Sequence, residues 1–434
     1  MKRLYYKRLL AWKQAGAKKP LLVQGVRQAG KTYLIEQFCR EQYNTPVVVN
    51  LLDNREVIKL YQENINAEEK FRALQLLLET NLMQPGTILF VDEVQESEEF
   101  ISALKFLNEQ HPSVPIICAG SLLGVKLKRF KKSFPVGKVF LETMRPMGFE
   151  EFLIACNKQL WIEEIRTCFA VNKKMPLPLH NQLLNLYRTF LCVGGMPEAV
   201  SDYVCKDFNL ARFDHHIISA ITQAHQNDMA KYVTSLNEAV KIGKVFNSIP
   251  AQMNNIAGKF QYSRIVKGAR RQAYETAIDW LLAAHMVLES VRVTIPEKPL
   301  NGFANNDYFR LFISDMGIAL KMLNISFADV LSSNMGQFMG AIAENYVATE
   351  LDKLNVPLRH WTSGNTAEVD FLLETDTGVI PVEVKAGDNV RAKSLRHYIE
   401  KYHPPYAIRV SSKNFGMENG IKSIPLYAVF CLDS

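Results

Sequence analysis

The sequence predicts an α/β protein with a parallel sheet first, a helical region in the middle and a second α/β unit at the end. Three observations predict this. The apolar run Leu21-Leu22-Val23 leads through Gln24 into Gly25-Val26-Arg27-Gln28-Ala29-Gly30-Lys31-Thr32, and a helical pattern starting at Tyr33 follows. A second apolar run, Thr87-Ile88-Leu89-Phe90-Val91, ends in Asp92-Glu93. Near the C-terminus two alternating stretches, Ala367 to Glu374 and Val379 to Lys385, flank Thr375-Asp376-Thr377-Gly378, whose residue types suit a hairpin turn.

The first stretch has the full P-loop spacing, Gly25, four residues, then Gly30-Lys31-Thr32. The chemistry explains the residue types. Glycines let successive backbone N–H groups point inward at phosphate oxygens, and the helix that follows adds its N-terminal dipole. Lys31 supplies a flexible point charge for the β- and γ-phosphates, and Thr32 offers a hydroxyl to Mg²⁺. The residues expected to cradle the nucleotide are Gly25, Val26, Arg27, Gln28, Ala29, Gly30, Lys31, Thr32 and Tyr33. Asp92 is then the expected Mg²⁺ holder of a Walker B element, and Glu93 the group that orients and deprotonates water.

The remaining elements follow in order. A basic amphipathic helix over Met1 to Lys13 is broken by Ala15 to Pro20. Pro46-Val47-Val48-Val49-Asn50 reads as a strand, and two helices follow near Arg55–Asn64 and Ala67–Asn81. After Asp92-Glu93 come a helix over Phe100–Gln110 and the strand Val114 to Cys118, which leads to Ser121, a candidate sensor of the γ-phosphate. A strand over Gly137–Glu142 and a helix opening in Met144 to Phe152 close the unit. The alternation implies a parallel sheet covered on both faces. The strand between the P-loop and Asp92-Glu93 fits P-loop ATPases whose catalytic Glu follows the Mg²⁺ Asp. Arg27 and Arg145 are the arginine-finger candidates.

From Phe152 to Tyr232 the pattern is helical. Between Asn237 and Val293 it predicts a helix ending before Pro250, a short helix around Met253–Ala257, a longer one over Gln272–Ala284 with Tyr274, Ile278, Trp280 and Leu281 on its apolar side, and a β-wing over Met286–Val293. This is a winged helix-turn-helix reading, with Arg264, Lys267, Arg270 and Arg271 as candidate contacts to DNA backbone. In the last third, a helix over Met335–Leu354 carries Glu344, and the hairpin brings Asp370 beside Glu383 and Lys385. Three acids and a lysine in this order form a PD-(D/E)XK nuclease-like set, in which carboxylates hold Mg²⁺ and the lysine activates water. The expected domains are residues 1–155 for the P-loop ATPase, 156–232 for a helical region, 233–300 for the winged helix and 301–434 for the nuclease-like unit.

Composition sets the outer limits. The 434 residues carry 51 Lys and Arg against 44 Asp and Glu, a formal charge of +7 that permits a nucleic-acid partner without demanding one. The 7 cysteines are scattered with no CxxC pair, which points to reduced thiols, a cytoplasmic setting and no zinc ribbon. No run of apolar residues is long enough for a transmembrane helix.

Taken together, Gly25–Thr32, Phe90–Glu93, the segment from Ser133 to Phe152, Gly194–Ala199, Asp315-Met316-Gly317, Glu344 and Glu368 through Lys385 resemble a family of prokaryotic AAA-like ATP-binding proteins. That family pairs a P-loop ATPase domain with a C-terminal domain of unknown function related to PD-(D/E)XK nucleases. The resemblance implies ATP binding, a winged-helix insert and a nuclease-like C-terminus. Three functions follow as expectations. The chain is a Mg²⁺-dependent ATPase acting on DNA, an ATP-driven signalling or protein-interaction switch with inert C-terminal acids, or a nucleotide-gated nuclease.

Overall fold

The computed structural model describes residues 1–16, 19–253, 259–363, 367–386 and 393–433. It divides into two compact units, Met1–Pro146 with Ala283–His285, and Met147–Leu282 with Met286–Ser434.

In the first unit the apolar runs form five parallel strands: β1 (Leu21–Gln24), β2 (Thr45–Asn50), β3 (Thr87–Asp92), β4 (Ile116–Ala119) and β5 (Phe140–Thr143). Their order is β2-β3-β4-β1-β5. Alternation along each strand feeds two cores, one per face. Leu21, Val23, Phe90 and Ile117 face one core with Phe38 of the helix Lys31–Gln42. Leu22, Leu89, Val91, Ile116 and Cys118 face the other with Phe100 and Leu104 of the helix Glu98–Gln110. The N-terminal helix Tyr5–Gln14 places Tyr5, Leu9 and Trp12 on the first core, at the spacing that keeps one helical face buried. Each such large side chain contributes roughly 1.5–3 kcal/mol by leaving water.

The sheet order supplies a strand between the P-loop strand and the one that ends in Asp92-Glu93. In sequence β2 lies between the P-loop and Asp92-Glu93, but in space β4 lies between β1 and β3, and β2 is an edge strand. Sequence order does not fix spatial order when helical crossovers join parallel strands. The edge position explains why Val48 is exposed while Val91 in β3 is buried.

The second unit opens with helices Phe149–Ala155, Gln159–Val171, Leu177–Val193, Pro197–Cys205, His215–Asp228, Leu236–Met253 and Arg271–Ala283. Leu236–Met253 runs through Pro250, where the sequence predicts a stop. Pro removes one backbone donor, but Ile242, Val245, Phe246 and Ile249 bury a continuous face, so packing outweighs that loss. The short helix expected around Met253–Ala257 lies, beyond Met253, outside the described residues.

Two sheets follow. Strands β6 (Val287–Val293), β7 (Ala304–Ile313), β8 (Arg359–Thr362) and β9 (Glu368–Val369) are ordered β7-β6-β8-β9. The strand expected as a β-wing, β6, is an inner strand, antiparallel to β7 and parallel to β8 from the last third of the chain. A strand with Val287, Val291 and Val293 buried needs cover that a solvent-facing wing cannot provide. The second sheet contains β10 (Phe371–Thr375), β11 (Gly378–Lys385), β12 (Ala407–Ser411), β13 (Gly416–Glu418) and β14 (Ile421–Pro425), in the order β10-β11-β12-β14-β13. β10 and β11 are the predicted hairpin. β11 and β12 are parallel, with the helix Lys393–Tyr402 between them in the chain. The helix Phe338–Lys353, slightly shorter than predicted, packs against β11 and β7.

All seven cysteines are free thiols, with only Cys205 exposed. No helix among the described residues is long and apolar enough to cross a membrane.

Candidate functional site

In the first unit the loop between β1 and the helix Lys31–Gln42 has the backbone that its glycines allow. Gly25 has φ +143°, and a Cβ there would lie 2.0 Å from the Met144 carbonyl oxygen, so no side chain fits. Gly30 caps the helix in the left-handed region at φ 83°. Lys31 is buried, and its Nζ donates to the carbonyls of Gly25 (2.8 Å) and Val26 (2.9 Å). The ammonium thus lies against the curl of the loop. Val26 and Ala29 are buried, Arg27 is half-buried, and Gln28, Thr32 and Tyr33 are exposed at the loop and first helical turn.

The end of β3 comes to the same place. Thr32 Oγ1 donates to Asp92 Oδ2 at 2.7 Å, and the Glu93 N–H donates to Asp92 Oδ1 at 3.0 Å. Burial raises the Asp92 carboxyl above the usual range, against the lowering effect of the Thr32 hydrogen bond. Glu93 sits in the left-handed region at φ 52°, and its Oε2 accepts a hydrogen bond from Gln95 Nε2. Ser121 is half-buried just after β4, the strand between β1 and β3. The Thr32 hydroxyl and the Asp92 carboxylate offer adjacent oxygen donors, the hard set that suits Mg²⁺. These residues fit the ion.

Two residues escaped the sequence reading. Arg3 is buried and donates to the carbonyls of Ala29 (2.8 Å) and Arg145 (2.7 Å), tying the loop to the segment after β5. Gln95 is buried and holds Glu93; a Cβ on Gly120 would come within 2.0 Å of its Oε1. Nothing in the local spacing marks Arg3. Gln95 has one weak signal, its position two residues past a Walker B glutamate.

In the second unit the predicted acids gather near one another but meet cations of the chain itself. Arg310 of β7 pairs with Glu344 at 2.5 Å and with Glu368. Lys385 pairs with Glu383 at 3.0 Å. Asp370 Oδ2 accepts from the Val384 N–H at 2.7 Å. Burial pushes Glu344 up to about 7, with the Arg310 charge pulling it down and Asp370 adding to the rise. Burial likewise raises Asp370 and Glu383. For Lys385 burial acts to lower the ammonium, and the neighbouring Glu383 overcomes it, leaving a raised value. Arg310, Glu344, Glu368 and Asp370 line a cavity of about 250 Å³. Among the described residues no three His, Cys, Asp or Glu side chains converge as a metal-holding group. In this arrangement Arg310 and Lys385 take up hydrogen-bonding oxygens of Glu344, Glu368 and Glu383.

The candidate DNA contacts split. Arg271 is engaged by Glu275 (2.9 Å) and Asp307, and Arg264 donates to Gln261 (2.9 Å) and the Ala251 carbonyl. Lys267 and Arg270 are exposed on the turn before the helix Arg271–Ala283.

Residues 17–153 match the AAA domain, a span that contains the whole loop, Asp92-Glu93 and Ser121. At the family level this segment is similar to AAA domains. Residues 184–329 match one domain of unknown function (DUF8612) and residues 339–429 another (DUF4143). No curated protein matches the chain. Among solved structures the chain is similar to a Walker-type ATPase of Pyrococcus abyssi, at 14% identity and TM-score 0.43, over 75% of this chain and 96% of that one. It is also similar to the Aeropyrum pernix ORC2 protein in its ADPNP and ADP complexes, at 11% identity and TM-score 0.36, over 77% of this chain and 95% of that one. A third is the RuvB Holliday junction branch migration motor of Thermotoga maritima, at 14% identity and TM-score 0.27, over 66% and 89% of the two chains.

Proposed function

We propose that the chain is a Mg²⁺-dependent ATPase whose nucleotide state governs the activity of its second unit on DNA. The observation that carries this is the pairing of Lys31 Nζ, seated on the loop carbonyls, with the Thr32–Asp92 contact of 2.7 Å beside it. Backbone N–H groups of residues 25 to 32 receive the phosphates, and Lys31 exchanges its two carbonyl partners for β- and γ-phosphate oxygens. Thr32 and Asp92 hold Mg²⁺, which when bound neutralises charge on those phosphates. Glu93, oriented by Gln95, accepts the proton of the attacking water, and Ser121 touches the γ-phosphate. On the second unit, Lys267 and Arg270 are the basic side chains exposed for a DNA backbone.

The test is calorimetric titration of MgATP into the wild type and Lys31→Ala. Loss of at least about 100-fold in affinity is expected, because a buried point charge on phosphate is removed. Equal affinity for the two proteins would remove the reading. ATP turnover with and without duplex or single-stranded DNA then reads the second half of the proposal; stimulation supports action on DNA.

A second reading makes the chain an ATP-driven interaction switch with inert C-terminal acids. The Arg310 pairing with Glu344 and Glu368 favours inert acids over a nucleotide-gated nuclease, since a cation of the chain occupies the carboxylates that a metal would need.

A further inference from the structure

The second unit has a cleft that neither the P-loop nor the acid cluster accounts for. Its volume is about 960 Å³, at the upper end of the range for small-ligand sites. It opens at the carboxyl ends of the parallel strands β11 and β12, where Ala386 and the loop from Ser412 to Phe415 form its floor. Open α/β sheets bind ligands at that edge, because the loops there diverge and leave a crevice. Lys174 and the helix Leu177–Val193 form the opposite wall.

The charge of the lining is one-sided. Lys174, Arg188, Arg409 and Lys413 border the cleft, against Glu418 as the one carboxylate among its described lining residues. Most arginines near acids in this chain are spoken for: Arg166 by Glu150, Arg271 by Glu275, Arg310 by Glu344. These four cations differ. Arg188 donates to the neutral Asn185 Oδ1 at 2.8 Å and Arg409 to the neutral Ser423 Oγ at 2.8 Å. None of the four is within salt-bridge distance of a carboxylate among the described residues, although the Arg409 charge acts on Glu383, its neighbour across β11 and β12. Arg409 is half-buried, and its Nε is a buried donor with no acceptor among the described residues. A buried unsatisfied donor on a charged group is costly unless an anion completes it.

The walls are fastened before any ligand arrives. His180 contacts the Ser412 carbonyl (3.0 Å) and the Tyr427 hydroxyl (2.8 Å). Asn414 clasps Met175 through both its side-chain atoms, at 2.9 Å to the N–H and 2.8 Å to the carbonyl. Four cations held around a preformed crevice create a local positive potential that selects a multiply charged anion.

We infer that this cleft binds phosphate esters, with Arg409 as the inner anchor and Lys174, Arg188 and Lys413 as the outer ring. The shared chemistry is that of a nucleotide phosphate, presented by a free mononucleotide or by the backbone of a single-stranded oligonucleotide. The inference stands apart from the P-loop reading and is tested with the P-loop disabled.

The experiment uses full-length Lys31→Ala protein and a fluorescein-labelled dT12 probe, with AMP and unlabelled dT12 as competitors. Fluorescence anisotropy at low salt is expected to show binding that weakens with salt. The double variant Arg188→Glu/Lys413→Glu is expected to lose at least about 10-fold in affinity, and its salt slope should shrink by about 1.4, since each single-strand phosphate contact accounts for about 0.7. Arg409→Gln, which removes the charge and keeps a shorter amide donor, reads the inner anchor and is expected to lose at least about 10-fold in affinity. Circular dichroism melts of the variants exclude unfolding as the cause. Competition by AMP identifies a nucleotide ligand, and competition by dT12 alone identifies a nucleic-acid backbone. No binding of either probe overturns the inference, as does binding that all the folded variants retain with an unchanged salt slope. A failed P-loop proposal would instead appear as equal MgATP affinity in wild type and Lys31→Ala, whatever this probe does.

Discussion

The P-loop of the first unit and the acid cluster of the second use the same residue types to opposite effect. In the first, Lys31 Nζ donates to two loop carbonyls, and Asp92 accepts from the Thr32 hydroxyl with the Lys31 charge acting on it. In the second, Glu344 and Glu368 meet Arg310, and Glu383 meets Lys385. Carbonyl and hydroxyl hydrogen bonds can be exchanged for those of a charged ligand at modest cost. Ionic partners cannot, because removing one leaves the other buried and uncompensated. The contrast teaches that the same residue types can be held by hydrogen bonds in one place and by ion pairs in another.

The largest effect that this contrast predicts is on stability. Arg310→Ala should destabilise the second unit by about 3–5 kcal/mol in urea unfolding, the usual loss when half of a buried pair is removed. A change below 1 kcal/mol would mean that the pairing is a loose surface contact, and the distinction between the two sites would fail. Next in size is Glu93→Gln, which should leave MgATP affinity near wild type in calorimetry while turnover falls about 10²–10⁴-fold. Unchanged phosphate release would take the base role from Glu93.

The smallest effect is a pH slope. His360 lies fully buried in β8 beside Ser290 Oγ at 3.1 Å; burial, then the charges of Arg310 and Arg292, holds its imidazole well below the usual value. The folded state keeps it neutral, whereas the unfolded chain takes up a proton as pH falls below about 6.5. The unfolded state then binds more protons, so stability is lost as pH drops through that range, by up to about 1.4 kcal/mol per unit. Glu344, raised to about 7, acts in the opposite sense, because its folded form is the one that retains the proton. The quantity to measure is therefore the difference in unfolding free energy between wild type and His360→Gln at pH 7.5 and 5.5. A difference that does not change with pH would show that His360 is not the titrating group.

Much of the first unit could be read from residue order, because its signals are local. Gly25 is demanded by a backbone that leaves no room for a side chain, Gly30 is favoured by its left-handed cap, and β3 is a continuous apolar run because both its faces are covered. Three things in the unit were not legible. Arg3 reaches Ala29 and Arg145 across a long stretch of chain, Gln95 is ordinary in sequence, and β4 rather than β2 lies beside β1. The second unit was harder to read. Its hairpin was visible in the turn and the alternation, but β6 reads as a wing until β7 and β8 close around it.

The sequence alone determined the phosphate-cradling loop, the strand that ends in Asp92-Glu93 and the hairpin that carries Asp370 and Glu383, since each rests on backbone preference and periodicity within a few residues. Only the tertiary structure decided that Arg310 reaches the C-terminal acids, that Arg3 braces the loop, and that four cations surround one cleft. The reason is physical: charge pairing and packing act between residues close in space, and separation along the chain carries no information about that distance.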